Sequence, residues 1–248
     1  MLGQGRRLLY LLADLLFPPR CVGCRRPGEV LCATCIARVV RFSEPRCPRC
    51  DLPLEVGAAA TGPCMTCQRQ RSYLDGMRVV GPHVAPLRVA IHALKYEWRS
   101  DLAAPLGTLL AGRWEDAAGS DVDGVLPVPL HASRQRERGF NQSRLLAEVL
   151  TIRLEFPLHV ELLWRERATI PQVGLNWQER RQNVAGAFRA APAVAGGRWL
   201  LVDDVCTSGA TLEASAHALR EQGASAVWAI TLARPHRERS PIYQTFNH

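Results

Sequence analysis

Lysine is almost missing from this chain. Of its 31 basic residues, 30 are arginine and only Lys95 is lysine. Such a skew follows biased base composition, and it sets Lys95 apart. No apolar run reaches the roughly 20 residues of a membrane-spanning helix, so no span is expected. The seven histidines are scattered, with no pair at metal-ligand or triad spacing. Aromatic residues make up 6 %. Low complexity is missing too: 47 % hydrophobic and 22 % charged residues are ordinary globular values, which excludes disorder or a fibrous repeat for the whole.

What is present begins with charge. The formal net charge is +8 over 248 residues. Residues 1–70 hold 10 arginines against 5 acidic residues, and residues 71–248 hold 21 basic against 18 acidic. A basic surplus favours partners that carry phosphate, either nucleic acid or a small phosphorylated ligand. The length suits one medium domain plus a small one. We place the division at 1–70 and 71–248.

The nine cysteines are unevenly spread. Eight form four Cys-x-x-Cys pairs before residue 68, and Cys206 stands alone. Two intervening residues let a tight turn offer both sulfurs to one ion, and tetrahedral Zn(II) needs two such pairs. Four pairs therefore predict two structural zinc sites. The competing reading is a disulfide framework, which rarely keeps such regular spacing. Consecutive sharing puts Cys21, Cys24, Cys32 and Cys35 on one ion and Cys47, Cys50, Cys64 and Cys67 on the other. Interleaved sharing is the alternative, and shorter loops favour the consecutive scheme. Both sites are full, so they stabilise rather than catalyse: they replace a core too small to form. Residues 1–17 start basic and continue apolar, like a signal peptide. Asp14 interrupts the stretch and no small-x-small cleavage site follows. A short amphipathic helix packing on its own protein is expected, with membrane-surface docking as the alternative.

Periodic structure begins after Cys67. Strands are expected over residues 76–80, 122–128, 159–164, 199–205 and 226–232. Helices are expected over 84–98, 101–117, 141–154 and 211–222, and an Arg-rich polar loop over 167–183. Alternating strands and helices predict an α/β domain with a doubly wound, mostly parallel sheet.

The most telling stretch is Leu200-Leu201-Val202-Asp203-Asp204-Val205-Cys206-Thr207-Ser208-Gly209-Ala210-Thr211. An apolar strand runs into two carboxylates, then a small hydroxyl/glycine loop, then a helix. Successive strand residues face opposite ways, so one carboxylate should aim at the ligand crevice more directly than the other. Backbone N–H groups and the helix dipole make the loop an anion site. Gly209 allows close approach, and Thr207, Ser208 and Thr211 add hydroxyls. A phosphate beside two carboxylates suits a phosphorylated sugar, at the carboxyl end of a strand where open α/β sheets hold ligands. Cys206 reads as a loop filler.

This segment resembles the phosphoribosyl pyrophosphate (PRPP) motif of type I phosphoribosyltransferases. The resemblance implies that Asp203 and Asp204 contact ribose hydroxyls and that the loop from Val205 through Cys206, Thr207, Ser208, Gly209 and Ala210 to Thr211 holds the 5′-phosphate. It also implies Mg(II) bridging diphosphate and ribose oxygens. Two further stretches narrow the family. Pro127-Val128-Pro129-Leu130 leads to Arg134-x-Arg136-x-Arg138-Gly139-Phe140-Asn141-Gln142-Ser143, and Pro171-Gln172-Val173-Gly174-Leu175 leads to Glu179-Arg180-Arg181-Gln182-Asn183. With the doubled cysteine pattern, the whole chain is similar to the ComF competence-protein family, a double zinc ribbon fused to a phosphoribosyltransferase-like domain. That similarity implies a cytoplasmic role in handling transforming DNA, with PRPP, single-stranded DNA and other uptake proteins as partners. An active phosphoribosyltransferase of nucleobase metabolism and a non-catalytic scaffold of the uptake machinery are the alternatives.

On their own chemistry, Arg134, Arg136 and Arg138 follow a strand, in a loop where pyrophosphate needs neutralising; a solvated helix start is the plainer reading. Arg180 and Arg181 fit either a closing lid or an exposed charged turn. Lys95 could reach a phosphate or stand alone on the surface. His131 lies beside the proposed pyrophosphate loop. Phe42 and Tyr73 are the aromatic residues near the zinc ligands that could stack a base.

Overall fold

The computed structural model describes residues 18–54, 62–117, 121–169 and 177–235. The expected helix within 1–17 and most of the Ala/Gly-rich stretch 53–63 lie outside them. Among the described residues no helix is long and apolar enough to cross a membrane.

The cysteine-rich part carries two short helices, α1 (Ala33–Ala37) and α2 (Met65–Arg69). The rest follows in the order β1 (Gly76–Pro82), α3 (Leu87–Tyr96), α4 (Ala103–Asp116), β2 (Gly124–Pro127), α5 (Ala132–Arg138), α6 (Gln142–Leu154), β3 (Leu163–Arg165), α7 (Trp177–Val184), β4 (Phe188–Ala190), β5 (Arg198–Val205), α8 (Ala210–Glu221) and β6 (Ala226–Arg234). Four strands form one parallel sheet in the order β1-β6-β5-β2. This is the expected parallel α/β architecture.

Strand β5 is central and buried on both faces, which explains its unbroken apolar run. Its alternate residues enter different cores. Leu200 and Val202 pack with Leu87, Ile91 and Leu94 of α3, Leu106 of α4 and Leu146 of α6. Leu201 packs on the other face with Leu212, Ala216 and Leu219 of α8.

Three expectations need correction. The strand expected over 159–164 is Leu163–Arg165, and it belongs to a separate antiparallel ribbon with β4 rather than to the parallel sheet. Residues 158–159 instead flank the outer edge of β2, where His159 N donates to Val125 O at 2.9 Å. The polar stretch 167–183 contains helix α7. The segment with Arg134, Arg136 and Arg138 is helix α5, not a loop. Neither helix carries an apolar stripe, and of the described side chains of α7 only Val184 is buried, so no 3.6-residue apolar period marks them. Strand β4 is three residues long, too short for a pattern.

The exposed edge of a sheet must be covered or blunted. On β1 the cysteine-rich part does this. Asp51 accepts from Val79 N at 2.7 Å and from Arg113 Nη2 at 2.7 Å, while Arg113 Nε donates to Val79 O at 3.1 Å. Carboxylate and guanidinium together satisfy the outward N–H and C=O of one strand residue. All of this is buried, with Asp51 3 % and Arg113 8 % exposed. Nearby, a Cβ on Gly81 would lie 2.0 Å from Val40 O, so the two backbones approach too closely for any side chain.

Removing one member of a buried pair leaves a poorly compensated charge, and Asp51 would then keep only Arg46 Nη1, at 3.7 Å, as an ion-pair partner among the described residues. Arg113→Met is therefore expected to cost about 3–5 kcal/mol of stability. A shift in the urea midpoint checks this, and a midpoint within error of the parent removes the edge-capping role.

Candidate functional site

The cysteines converge in two groups: Cys21, Cys24, Cys32 and Cys35, and Cys47, Cys50, Cys64 and Cys67. In each, all four sulfurs lie within 4.8 Å of one another. Cys24 and Cys32 sulfurs are 3.6 Å apart, and those of Cys50 and Cys64 are 3.8 Å apart. Tetrahedral zinc–sulfur bonds of about 2.3 Å put sulfurs roughly 3.8 Å from each other, so both sets fit the ion. The knuckles repeat one backbone design. Arg25 and Asp51, each just after the second cysteine of a pair, take left-handed φ values of 66° and 59°. Cys32 N donates to Cys21 Sγ and Cys64 N to Cys47 Sγ, each at 3.3 Å. Burial raises the Cys21 thiol, but N–H groups of Cys32, Cys24 and Gly23 bring it down to about 6. Burial and the neighbouring thiols push Cys35 up. Four thiolates this close need a cation between them.

The second centre is a cleft of about 220 Å³ at the carboxyl ends of β2 and β5. Lys95, Arg134, Arg138, Asp203, Asp204 and Thr211 all line it. A smaller hollow of about 40 Å³ adjoins the loop at Val205, Cys206, Thr207, Gly209 and Ala210. Both carboxylates reach the larger cleft, and only Asp203 also borders the smaller one.

Neither carboxylate is bare. Asp203 Oδ1 accepts from Ser143 Oγ and from Asp204 N, both at 2.9 Å. Asp204 Oδ1 accepts from Val205 N at 2.8 Å, and its Oδ2 stands 2.5 Å from Lys95 Nζ. Burial raises Asp203, against the pull of Lys95, Ser143, Arg165 and Arg138. Burial lowers the Lys95 ammonium to about 8, against the pull of Asp203.

Helix geometry delivers these partners. The apolar face of α3 carries Leu87, Ala90, Ile91 and Leu94 inward, which leaves Lys95 at its last turn beside the cleft. Lys95 is therefore not the lone surface residue that one reading allowed. Asn141 caps α6 by accepting from Ser143 N at 3.0 Å, and its Nδ2 donates to Val128 O. That cap pins Ser143 beneath the doublet. Gly209, at φ 79°, starts α8. A Cβ there would meet nothing nearer than Cys206 Sγ at 3.8 Å, so the left-handed turn, not crowding, calls for glycine. Ser208 Oγ accepts from Ala210 N at 3.3 Å.

Residues 12–70 match the family model of a double zinc ribbon domain, and residues 141–247 that of a phosphoribosyl transferase domain. The DNA utilization protein YhgH of Escherichia coli O157:H7 is 33 % identical over 228 residues, covering 89 % of this chain and 99 % of that protein. Competence protein F of Haemophilus influenzae is 31 % identical over 226 residues, 87 % of this chain and 96 % of its own. The chain belongs to the ComF family. The more distant competence protein ComFC of Bacillus subtilis is 26 % identical over 246 residues, 94 % and 97 % of the two chains. Among solved structures, the glutamine PRPP amidotransferase from B. subtilis is similar at 21 % identity and a TM-score of 0.40, over 57 % of this chain and 30 % of that one.

Not every candidate joins the cleft of this ComF chain. Arg136 is exposed on α5, away from the lining. Arg180 is half-buried and Arg181 exposed on α7, and neither lines either hollow. His131 does line the cleft, and it caps α5 by accepting from Ser133 N at 3.3 Å. Phe42 is only 3 % exposed and so unavailable for stacking, and Tyr73 packs edge-on against His217. Several lining residues had no role in the sequence reading, among them Ser133, Arg165 and Thr169, and Gln142 and Ser143 were quoted there only as part of a motif. Arg165 lies over the Phe188 ring and hydrogen-bonds Thr169, while its buried Nε has no hydrogen-bond partner among the described residues. Ser143 was legible only as part of a helix cap. Arg165 gave no signal, because the ribbon that aims it is too short to read.

Metal analysis of the purified chain is expected to find two zinc ions, one for each thiol group. Changing Cys47 and Cys50 to serine should leave one. A metal-free chain that keeps its folded spectrum would refute both centres.

Proposed function

We propose that the cleft binds PRPP and that the protein acts on single-stranded DNA during DNA uptake or use. The observation that carries the first part is the lining itself. Lys95, Arg134, Arg138 and Arg165 surround the acidic doublet, and the loop leading into α8 adjoins it. Guanidinium groups suit diphosphate oxygens, a helix N-terminus suits the terminal phosphate, and a carboxylate suits sugar hydroxyls. Asp203, Asp204 and the residues from Val205 to Thr211 thus take the sugar and its 5′-phosphate. Arg134 and Arg138 take the diphosphate, with Arg136, Arg180 and Arg181 outside the site as it stands. The names of the YhgH and competence relatives support the DNA role. We assign the zinc ribbons to residues 1–70, the sugar-phosphate cleft to 71–248, and the protein to the cytoplasm with other uptake proteins as partners.

The exposed aromatic residues bear on the strand. Tyr96 and Trp98 are 59 % and 65 % exposed, and the Arg138 guanidinium lies 5.3 Å from the Tyr96 ring centre. Rings beside arginines at the mouth of a basic cleft suit unpaired bases.

Asp203→Asn with Asp204→Asn is expected to abolish PRPP binding in a calorimetric titration and to leave single-strand affinity within about threefold. Zinc content and circular dichroism report whether the variant is folded. Tyr96→Ala with Trp98→Ala should weaken the strand by about five- to a hundredfold and spare PRPP. Loss of both ligands in either folded variant contradicts separate sites.

Affinity for PRPP should also fall as pH rises from about 7 to about 9. The Lys95 ammonium is charged below about 8 and neutral above it, so its attraction for an anion is lost on that side. The charged groups facing it are Asp203 and Asp204 of β5 and Arg138 of α5, with His83 beyond the end of β1. A flat profile contradicts a role for Lys95 in anion binding.

A further inference from the structure

Mg(II) is implied by the family resemblance, and the residues at the cleft do not fit it. A magnesium ion needs near-octahedral oxygen ligands. Of the doublet, Asp203 Oδ1 is held by Ser143 Oγ and Asp204 N, and each oxygen of Asp204 has a close neighbour. One accepts the Val205 N–H at 2.8 Å, and the other holds the Lys95 ammonium at 2.5 Å. Asp204 is 3 % exposed, and the edge it turns to the cleft already faces the Lys95 ammonium. An ion placed against the doublet would stand within a few ångströms of a fixed positive charge, in surroundings that screen poorly.

The charge a divalent ion would supply is already there. Four cations line the cleft, Lys95, Arg134, Arg138 and Arg165, against the two carboxylates Asp203 and Asp204. The ammonium is also the right shape for the innermost place. It is a compact point charge on a slim stem, whereas a guanidinium is a flat fork that needs a wider slot. In a chain that uses arginine 30 times, the single lysine stands at this point.

We infer that Lys95 is the resident counter-cation of the cleft, taking the charge-neutralising place of a divalent ion, so that the sugar diphosphate binds without Mg(II). This rests on the PRPP reading above and adds to it how the site is neutralised.

The test is calorimetric titration of the zinc-loaded full chain with PRPP, once in metal-scavenged buffer and once with millimolar Mg(II). A chelator is avoided because it would strip the thiol centres. The two affinities of the parent protein should agree within about threefold. Lys95→Met should bind at least about tenfold more weakly in magnesium-free buffer and recover when Mg(II) is added. Lys95→Arg should keep magnesium-independent binding, at whatever affinity its size permits. A parent protein that gains tenfold or more from Mg(II) overturns the inference and leaves the PRPP reading intact. So does a Lys95→Met variant that matches the parent without Mg(II). If the parent binds in neither buffer, the PRPP reading falls and takes the inference with it. The parent comparison needs no variant, so a misfolded Lys95→Met cannot shield the idea.

Discussion

Two adjacent carboxylates at the end of a strand buried on both faces are costly unless other groups compensate them. Much of the architecture around β5 meets that demand. Ser143 comes from α6, Lys95 from α3, Arg138 from α5 and Arg165 from β3, and all of them act on the doublet. Shifting β5 by one residue would turn Asp203 and Asp204 into the opposing cores and break each of these contacts. The doublet therefore locks the register of the central strand, and the cleft is what remains between its compensating partners. Binding chemistry and fold specification come from the same few side chains.

A second constraint acts at the far edge of the sheet. Each cysteine-rich knuckle is too small for a core of its own and is organised around thiols. The second knuckle also contributes to the α/β part. Asp51 follows Cys50 directly and takes a left-handed turn that the knuckle geometry imposes. That turn swings its carboxylate onto Val79 and Arg113. Arg234, at the end of β6, donates to the Cys50 carbonyl at 3.1 Å. Its neighbour Ala233 accepts from Cys206 N at 3.0 Å. The backbone of the loop leading into α8 and the backbone of the second cysteine knuckle thus flank the end of one strand. A metal centre that fixes Cys50 also fixes the edge against which β6, and through it β5, is aligned.

How much of this could be read in advance differs by element. β5, α6 and α8 were legible because their burial imposes patterns: a continuous apolar run, a 3.6-residue period, a capping residue. The cysteine groups were legible because ligand spacing is a geometric necessity. α5 and α7 were not, since a helix without an apolar face leaves only its caps as signals, and His131 and Gly139 are weak ones. The doublet and its loop stood out, whereas their compensation did not. Nothing in the local sequence says that Lys95, more than 100 residues upstream, reaches Asp204. The same holds for Arg165, which is placed by pairing Trp164 with Arg189 and its own backbone with Phe188. Long-range electrostatic partners are chosen by topology, and no local period encodes topology.

The formal charge of +8 misleads if taken as a uniform basic surface. Many of the arginines are committed inside the fold or along its surface. Arg113 is held by Asp51, Arg220 by Asp75, Arg198 by Asp123 and Arg144 by Glu148. Arg234 is held at Cys50. Exposed pairs of this kind contribute little stability, and they also cancel the long-range field of both members. At the cleft the balance is different. Lys95 is matched by Asp204, and Arg138 donates to the neutral amide of Gln142 rather than to a carboxylate. Among the described residues, Asp203 is the acidic group that acts on Arg165, at a distance where it pulls without forming a salt bridge. Unbalanced positive charge thus gathers where helix α8 also points its positive end. The local excess suits this cleft to an anion, and the whole-chain total neither locates nor measures it.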